Sequence, residues 1–247
     1  INSMNYIKGN NTNPNNNVNN NVNNNNNNMN INSFNKYQNN YINNTKSKKK
    51  IDNLLLMIKD PIGNKNVQKT IEEKSPKFLL YCEKKTLSII LKYLYEKNQR
   101  NFYEISMNPH GTRVIQKLIE AITQSITVED INIMKKSLEG NISSMVKDIN
   151  GNHVIQCIIE NIKNEDLLFL IYNEINDNLY ENLCNKSGSC VFSKIIKCDI
   201  VSDGVINIID NVINNLNSFI NNEFGNYIVQ KIIEINDREY KDKILKY

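Results

Sequence analysis

GNHVIQCIIE, residues Gly151–Glu160, is one of five versions of a single ten-residue pattern. The others are GNKNVQKTIE from Gly63, GTRVIQKLIE from Gly111, GSCVFSKIIK from Gly188 and GNYIVQKIIE from Gly225. Their glycines stand 48, 40, 37 and 37 residues apart, the spacing expected when one supersecondary unit stacks on copies of itself. With the glycine counted as zero, offsets three, four, seven and eight are apolar. They are Val114, Ile115, Leu118 and Ile119 in the second copy, Val154, Ile155, Ile158 and Ile159 in the third, and Ile228, Val229, Ile232 and Ile233 in the fifth. This is one face of a helix. The first copy carries Asn66 and Thr70 at offsets three and seven, as expected of an end unit with a more polar face.

Three residues before each glycine stands Asp60, Asn108, Asp148, Asn185 or Asn222, a residue type that closes turns and caps helices through its side-chain oxygen. The glycine permits a tight, crowded turn. A short apolar stretch precedes the turn, such as Ile142–Val146 or Leu179–Leu183, and an amphipathic segment follows the core helix, such as Asp166–Ile175 or Val205–Ile213. Each unit therefore reads as short helix, turn, core helix, third helix. No strand-like alternation competes, so the expected fold is all-α, an α-solenoid whose core helices line a concave surface. The longer first interval predicts an insertion around Glu72–Lys85. No unit precedes residue 47 or so, the fifth copy is read as incomplete, and the chain is read as part of a longer one.

Composition divides the chain in two. Residues 1–46 are dominated by asparagine, with the run Asn23–Asn28 and no acidic residue. Such a stretch buries too little apolar surface to offset its conformational entropy and is expected to be a disordered, low-complexity tail. Residues 47–247 are the expected repeat domain. The formal charge of +4 is misleading, because Lys8, Lys36, Lys46, Lys48, Lys49 and Lys50 face no acids in the first fifty residues, leaving 24 bases against 26 acids afterwards. The repeat region is no polycationic phosphate clamp. Cys82, Cys157, Cys184, Cys190 and Cys198 form no CxxC pair, and His110 and His153 are the only histidines. No zinc site and no other cofactor is expected, and an intracellular compartment with reduced thiols fits these cysteines. Neither a membrane span, a secretory signal nor a small-molecule site is visible. Without a nucleophile beside a base, paired carboxylates or a phosphate-cradling loop, no enzyme is expected.

The polar offsets of the decamer are as regular as the apolar ones. Offsets one and five, four residues apart on one helix face, pair Asn64 with Gln68, Thr112 with Gln116, Asn152 with Gln156, Ser189 with Ser193, and Asn226 with Gln230. Beside them at offset two stand Lys65, Arg113, His153, Cys190 and Tyr227, mostly flat or cationic groups able to lie against a base. Two hydrogen-bonding side chains plus one stacking group are the equipment for reading the edge and face of an unpaired base. Ordinary solvated positions would mix Lys, Glu, Ser and Gln, whereas Gln holds offset five in four of the five copies.

The glycine, the Asn, Ser or Thr with its aromatic or cationic neighbour, and the Gln-Lys that follows resemble the Pumilio, or PUF, family over residues 47–247. The resemblance implies a right-handed α-solenoid of three-helix repeats forming a crescent. It implies single-stranded messenger RNA on the inner face, one base per repeat, repression or decay of the message in the cytoplasm, and possible co-repressor proteins on the outer face. Carried over copy by copy, Asn226 with Gln230 resembles a uracil reader with Tyr227 as its stacker, and Asn152 with Gln156 is similar, with His153 stacking. Thr112 with Gln116 and Arg113 implies adenine, and Asn64 with Gln68 and Lys65 a further uracil. Ser189, Cys190 and Ser193 match no clear code. Antiparallel binding then implies the read 5′-U-N-U-A-U-3′. Two other readings stay open: a nucleolar relative holding structured ribosomal RNA with little base specificity, and a protein-binding helical scaffold.

Overall fold

The computed structural model describes residues 55–74, 101–197, 202–235 and 238–246. The asparagine-rich tail lies outside the described residues, as does the expected insertion around Glu72–Lys85 except for its first three residues, which end a helix. What is described belongs to one compact unit, Thr45–Tyr247, and its regular elements are helices. In chain order they are α1 (55–59), α2 (Gly63–Lys74), α3 (Asn101–Met107), α4 (Gly111–Ile122), α5 (Val128–Leu138), α6 (Ile142–Lys147), α7 (Gly151–Asn161), α8 (Glu165–Asp177), α9 (Leu179–Leu183), α10 (Lys186–Lys197), α11 (Asp203–Asn214), α12 (Leu216–Ile220), α13 (Glu223–Glu234) and α14 (Arg238–Leu245). Short helix, core helix and third helix follow one another as the sequence pattern predicts. The fifth copy too has a third helix, α14.

Each core helix packs on the next, α2 on α4, α4 on α7, α7 on α10 and α10 on α13, while α8 packs on α11 in a layer of third helices. The chain is an α-solenoid of three-helix repeats. Between the layers lies a continuous apolar core in which offsets three, four, seven and eight of the second and third copies are all buried. Burying side chains of this size stabilises the fold by about 1.5–3 kcal/mol each. The fifth copy departs from the pattern, because Ile233 is 41% exposed. Among the described residues no core helix follows α13 to cover that position.

A single local device starts every core helix. The carboxylate of Asp60 accepts from the backbone N–H of Ile62 at 2.9 Å and of Gly63 at 2.6 Å. Asn108, Asp148 and Asn222 bind the equivalent pair of N–H groups, on His110 and Gly111, Asn150 and Gly151, and Phe224 and Gly225, and Asn185 binds that of Gly188. The main-chain carbonyl of the same residue accepts from offset one, as in Asn108 with Thr112 at 2.9 Å. Backbone donors that a helix start leaves orphaned are thus satisfied by one residue. In α10 and α13 the helix begins two residues ahead of the glycine.

The glycines serve close approach, not an unusual backbone angle. A β-carbon on Gly111 would stand 2.6 Å from the carbonyl oxygen of Ile105, and one on Gly63 would stand 2.7 Å from that of Met57. At Gly188 and Gly225 it would strike the carbonyls of Asn182 and Phe219. In each case the obstacle is the short helix six residues earlier, so glycine lets the short and core helices touch backbone to backbone. Positive φ is found at Gly140, at 73°, in the turn between α5 and α6. There Glu174 of the next repeat accepts from the N–H groups of Gly140 at 2.7 Å and Ile142 at 3.2 Å, and burial raises its pKa against the pull of those two bonds.

Gly111→Ala therefore forces a backbone-to-backbone clash, with an expected loss of about 1–3 kcal/mol. Urea denaturation of the variant should show a lower midpoint with an unchanged slope.

Candidate nucleic-acid interface

Offsets one, two and five lie in the first two turns of each core helix, directly beyond the cap. The five offset-two side chains, Lys65, Arg113, His153, Cys190 and Tyr227, are all exposed. Offset one behaves differently from a presented reader, because Asn64, Thr112, Asn152 and Ser189 are buried. Thr112 shows why: its hydroxyl donates to the carbonyl of Asn150 in the turn of the following copy, at 3.0 Å. Asn226 and Gln230 of the fifth copy are both exposed.

The buried asparagines do two jobs at once. Asn152 Nδ2 donates to the carbonyls of Asp148 at 2.7 Å and Ile149 at 3.0 Å, and Asn64 Nδ2 to those of Asp60 at 2.7 Å and Pro61 at 2.9 Å. Their oxygens are left to hold the glutamine at offset five: Gln156 Nε2 donates to Asn152 Oδ1 at 2.7 Å, and Gln68 Nε2 to Asn64 Oδ1 at 2.8 Å. A carboxamide offers two N–H donors and one oxygen. One N–H is fixed internally, which orients the plane of the group and leaves a donor and an acceptor side by side, the complement of a base edge. In the second copy Gln116 Nε2 donates to the Thr112 hydroxyl at 3.1 Å and carbonyl at 3.2 Å.

The fourth copy turns inward. Ser189 Oγ donates to the Lys186 carbonyl at 3.0 Å and Ser193 Oγ to the Ser189 carbonyl at 3.0 Å. The Ser193 hydroxyl also lies 3.3 Å from the hydroxyl of Tyr227 in the fifth copy.

Electrostatics favour faces over charges. Burial, aided by the neighbouring Arg113, lowers the pKa of His153, so at neutral pH the ring is an uncharged flat surface beside a guanidinium. Farther along the core helices runs a ladder of ion pairs: Lys117 with Glu120 at 3.1 Å and with Glu72 at 3.2 Å, Lys194 with Glu160 at 2.8 Å, Lys231 with Glu234 at 2.6 Å. These pairs are partly exposed and contribute little stability each, about 0–1 kcal/mol, but they neutralise the surface next to the polar stripe. Where the ladder would place a lysine in the third copy stands Cys157, which donates to the Gln116 carbonyl at 3.6 Å and whose pKa burial pushes up to about 12. It packs as a small apolar group. Among the described residues no cluster of metal-ligating side chains occurs, and no helix is long and apolar enough to cross a membrane.

Comparison with known proteins agrees with this geometry. The family model described as "Pumilio-family RNA binding repeat" matches residues 101–127, 141–175 and 216–246, segments that hold the decamers at Gly111, Gly151 and Gly225. The chain belongs to the Pumilio family. Its relatives include Pumilio homolog 11 of Arabidopsis thaliana, 32% identical over 187 residues covering 76% of this chain and 31% of the relative. Another is Suppressor protein MPT5 of Saccharomyces cerevisiae, 30% identical over 189 residues covering 74% of this chain and 20% of the relative. The chain thus spans about a third or less of these curated relatives. Among solved structures, the Puf4 RNA binding domain bound to the HO endonuclease RNA 3′ UTR recognition sequence superposes with a TM-score of 0.66 at 30% identity, covering 79% of this chain and 57% of that one. The family is defined by an RNA-binding repeat and is not an enzyme class.

In this Pumilio-family chain the structure brings all fifteen residues of the polar stripe to the starts of the five core helices. Sequence reading treated offset one as a surface position and missed its capping role. The signal was available: a carboxamide four residues after a capping Asp can reach back to that residue's carbonyl. It also missed Lys231, whose ammonium lies 5.2 Å from the ring centroid of Tyr227, although offsets two and six are neighbours on a helix.

The two halves of a reading pair should accordingly separate in a thermal melt. Asn152→Ala removes the side-chain donor to the carbonyls of Asp148 and Ile149, leaving that of Asp148 only its backbone partner, and is expected to cost about 1–3 kcal/mol, whereas Gln156→Ala should cost less than about 1 kcal/mol.

Proposed function

We propose that this chain binds single-stranded messenger RNA in sequence-specific fashion, one base to each copy of the decamer and without catalysis. On this reading it acts in the cytoplasm as a repressor of translation or a regulator of message stability, with protein partners on its third helices. The observation that carries the reading is the oriented glutamine: in the copies at Gly63 and Gly151 the glutamine donates an internal hydrogen bond to the buried asparagine, which fixes the amide, and an exposed offset-two side chain stands next to it. A protein scaffold has no need for that arrangement to recur in two of its repeats. The balance of 24 bases and 26 acids after residue 50, with lysines engaged in the ladder, supports recognition of bases over bulk attraction to phosphates. The relation to an RNA-bound Puf4 domain at 30% identity supports the same substrate class.

The residues proposed to contact RNA are Lys65 and Gln68; Arg113 and Gln116; His153 and Gln156; and Asn226, Tyr227 and Gln230, while buried Asn64, Thr112 and Asn152 hold the glutamines of their copies in place. In the fourth copy the corresponding residues are Ser189, Cys190 and Ser193. Titration of the 247-residue chain with a short RNA carrying 5′-U-N-U-A-U-3′ should give tighter binding than a scrambled RNA of the same composition, and equal affinity for the two would sink the proposal. Stacking on an aromatic ring contributes about 1–3 kcal/mol per base, so Tyr227→Ala should weaken binding about ten- to hundredfold.

A further inference from the structure

The fourth copy differs from its neighbours in a way that reaches across a repeat boundary. Its offset-five residue is serine, too short to fold back as a carboxamide does. Into the space crosses Tyr227, the offset-two residue of the fifth copy, whose hydroxyl lies 3.3 Å from Ser193 Oγ, 34 residues away in sequence. Among the described residues no other offset-two side chain bonds to the polar pair of the copy before it. The single proton of Ser193 is directed at the Ser189 carbonyl, so the phenol supplies the proton between the two hydroxyls. The Ser189 hydroxyl is committed to the Lys186 carbonyl, and Cys190 presents no flat face.

The tyrosine is held from two sides. Its hydroxyl rests on Ser193, and the ammonium of Lys231, fixed by Glu234 at 2.6 Å, lies 5.2 Å from its ring centroid. Anchored in this way, Tyr227 reaches the polar pair of the fourth copy with its hydroxyl while remaining 41% exposed. Both hydroxyl protons of that position are turned inward, and an acceptor of Ser193 is taken.

We propose that Tyr227 and Ser193 form a latch that closes the fourth reading position, so that the nucleotide opposite this copy is passed over as a spacer. On this view Tyr227 is a specificity-determining residue for two neighbouring positions, stacking at its own and silencing the one before. The inference rests on the proposed base-by-base reading of RNA. It adds that the unread nucleotide follows from a cross-repeat bond and not merely from a weak pair.

The test uses the 247-residue chain and RNAs carrying 5′-U-A-U-A-U-3′ in which one nucleotide at a time is replaced by an abasic one. Removal of the second base, opposite the copy at Gly188, should change affinity less than about twofold, while removal of the first or third should weaken binding about tenfold or more. In Tyr227→Phe, which keeps the ring but loses the hydroxyl, the latch is released and the second base should begin to matter, by about threefold or more. A wild-type loss at the second position as large as at the third overturns the latch and leaves base reading intact, as does a Tyr227→Phe profile unchanged at that position. No loss at any position overturns base reading, and the latch with it.

Discussion

Everything in this molecule depends on how closely a short helix approaches the start of the core helix that follows it. At Gly111 the two backbones meet so tightly that even a methyl group would intrude on the carbonyl of Ile105, and the same fit recurs in the other copies. Close approach buries the helix start, and a buried helix start demands partners for its N–H groups. The Asp or Asn three residues before each glycine supplies them. Packing and capping are therefore one requirement, and its repetition aligns the first turns of five core helices along one edge of the stack.

The recognition stripe inherits its rigidity from this scaffold. Asn152 is bound to the turn by two hydrogen bonds before it holds Gln156 with a third contact. The side chain that orients the reader is thus part of the structure's own cap. Such an arrangement positions an amide in advance of any ligand, which reduces the ordering cost of binding. The offset-two residues, by contrast, are exposed and vary from lysine to tyrosine. The ion-pair ladder on the same helices offsets neighbouring charge, and Lys65 and Arg113 are the cationic side chains at offset two.

The fourth copy shows how a repeat can change its polar contacts without changing its fold. Val191, Phe192 and Ile195 are buried like their counterparts, and Asn185 still caps the helix. The replacement of glutamine by Ser193 leaves space that a side chain of the next repeat enters. Repeats that stack by the same rules are thus free to diverge at the few positions that stacking does not use.

Local order was legible because its causes are local. Helix positions, the apolar offsets, the capping Asp and Asn residues and the crowded glycines all follow from interactions within about six residues, and each left a periodic mark in the chain. What the sequence by itself determined is therefore the repeat, its helices and the polar residues that share a face. Only the tertiary structure decided that offset one is buried in the first four copies and exposed in the fifth, that Ile233 is exposed while Ile159 is not, that Glu174 braces the turn at Gly140, and that Tyr227 reaches Ser193. These contacts join residues more than thirty positions apart, and they depend on the rotation and offset of one repeat against the next. That geometry is set by the summed packing of whole helices, and no single residue or spacing records it.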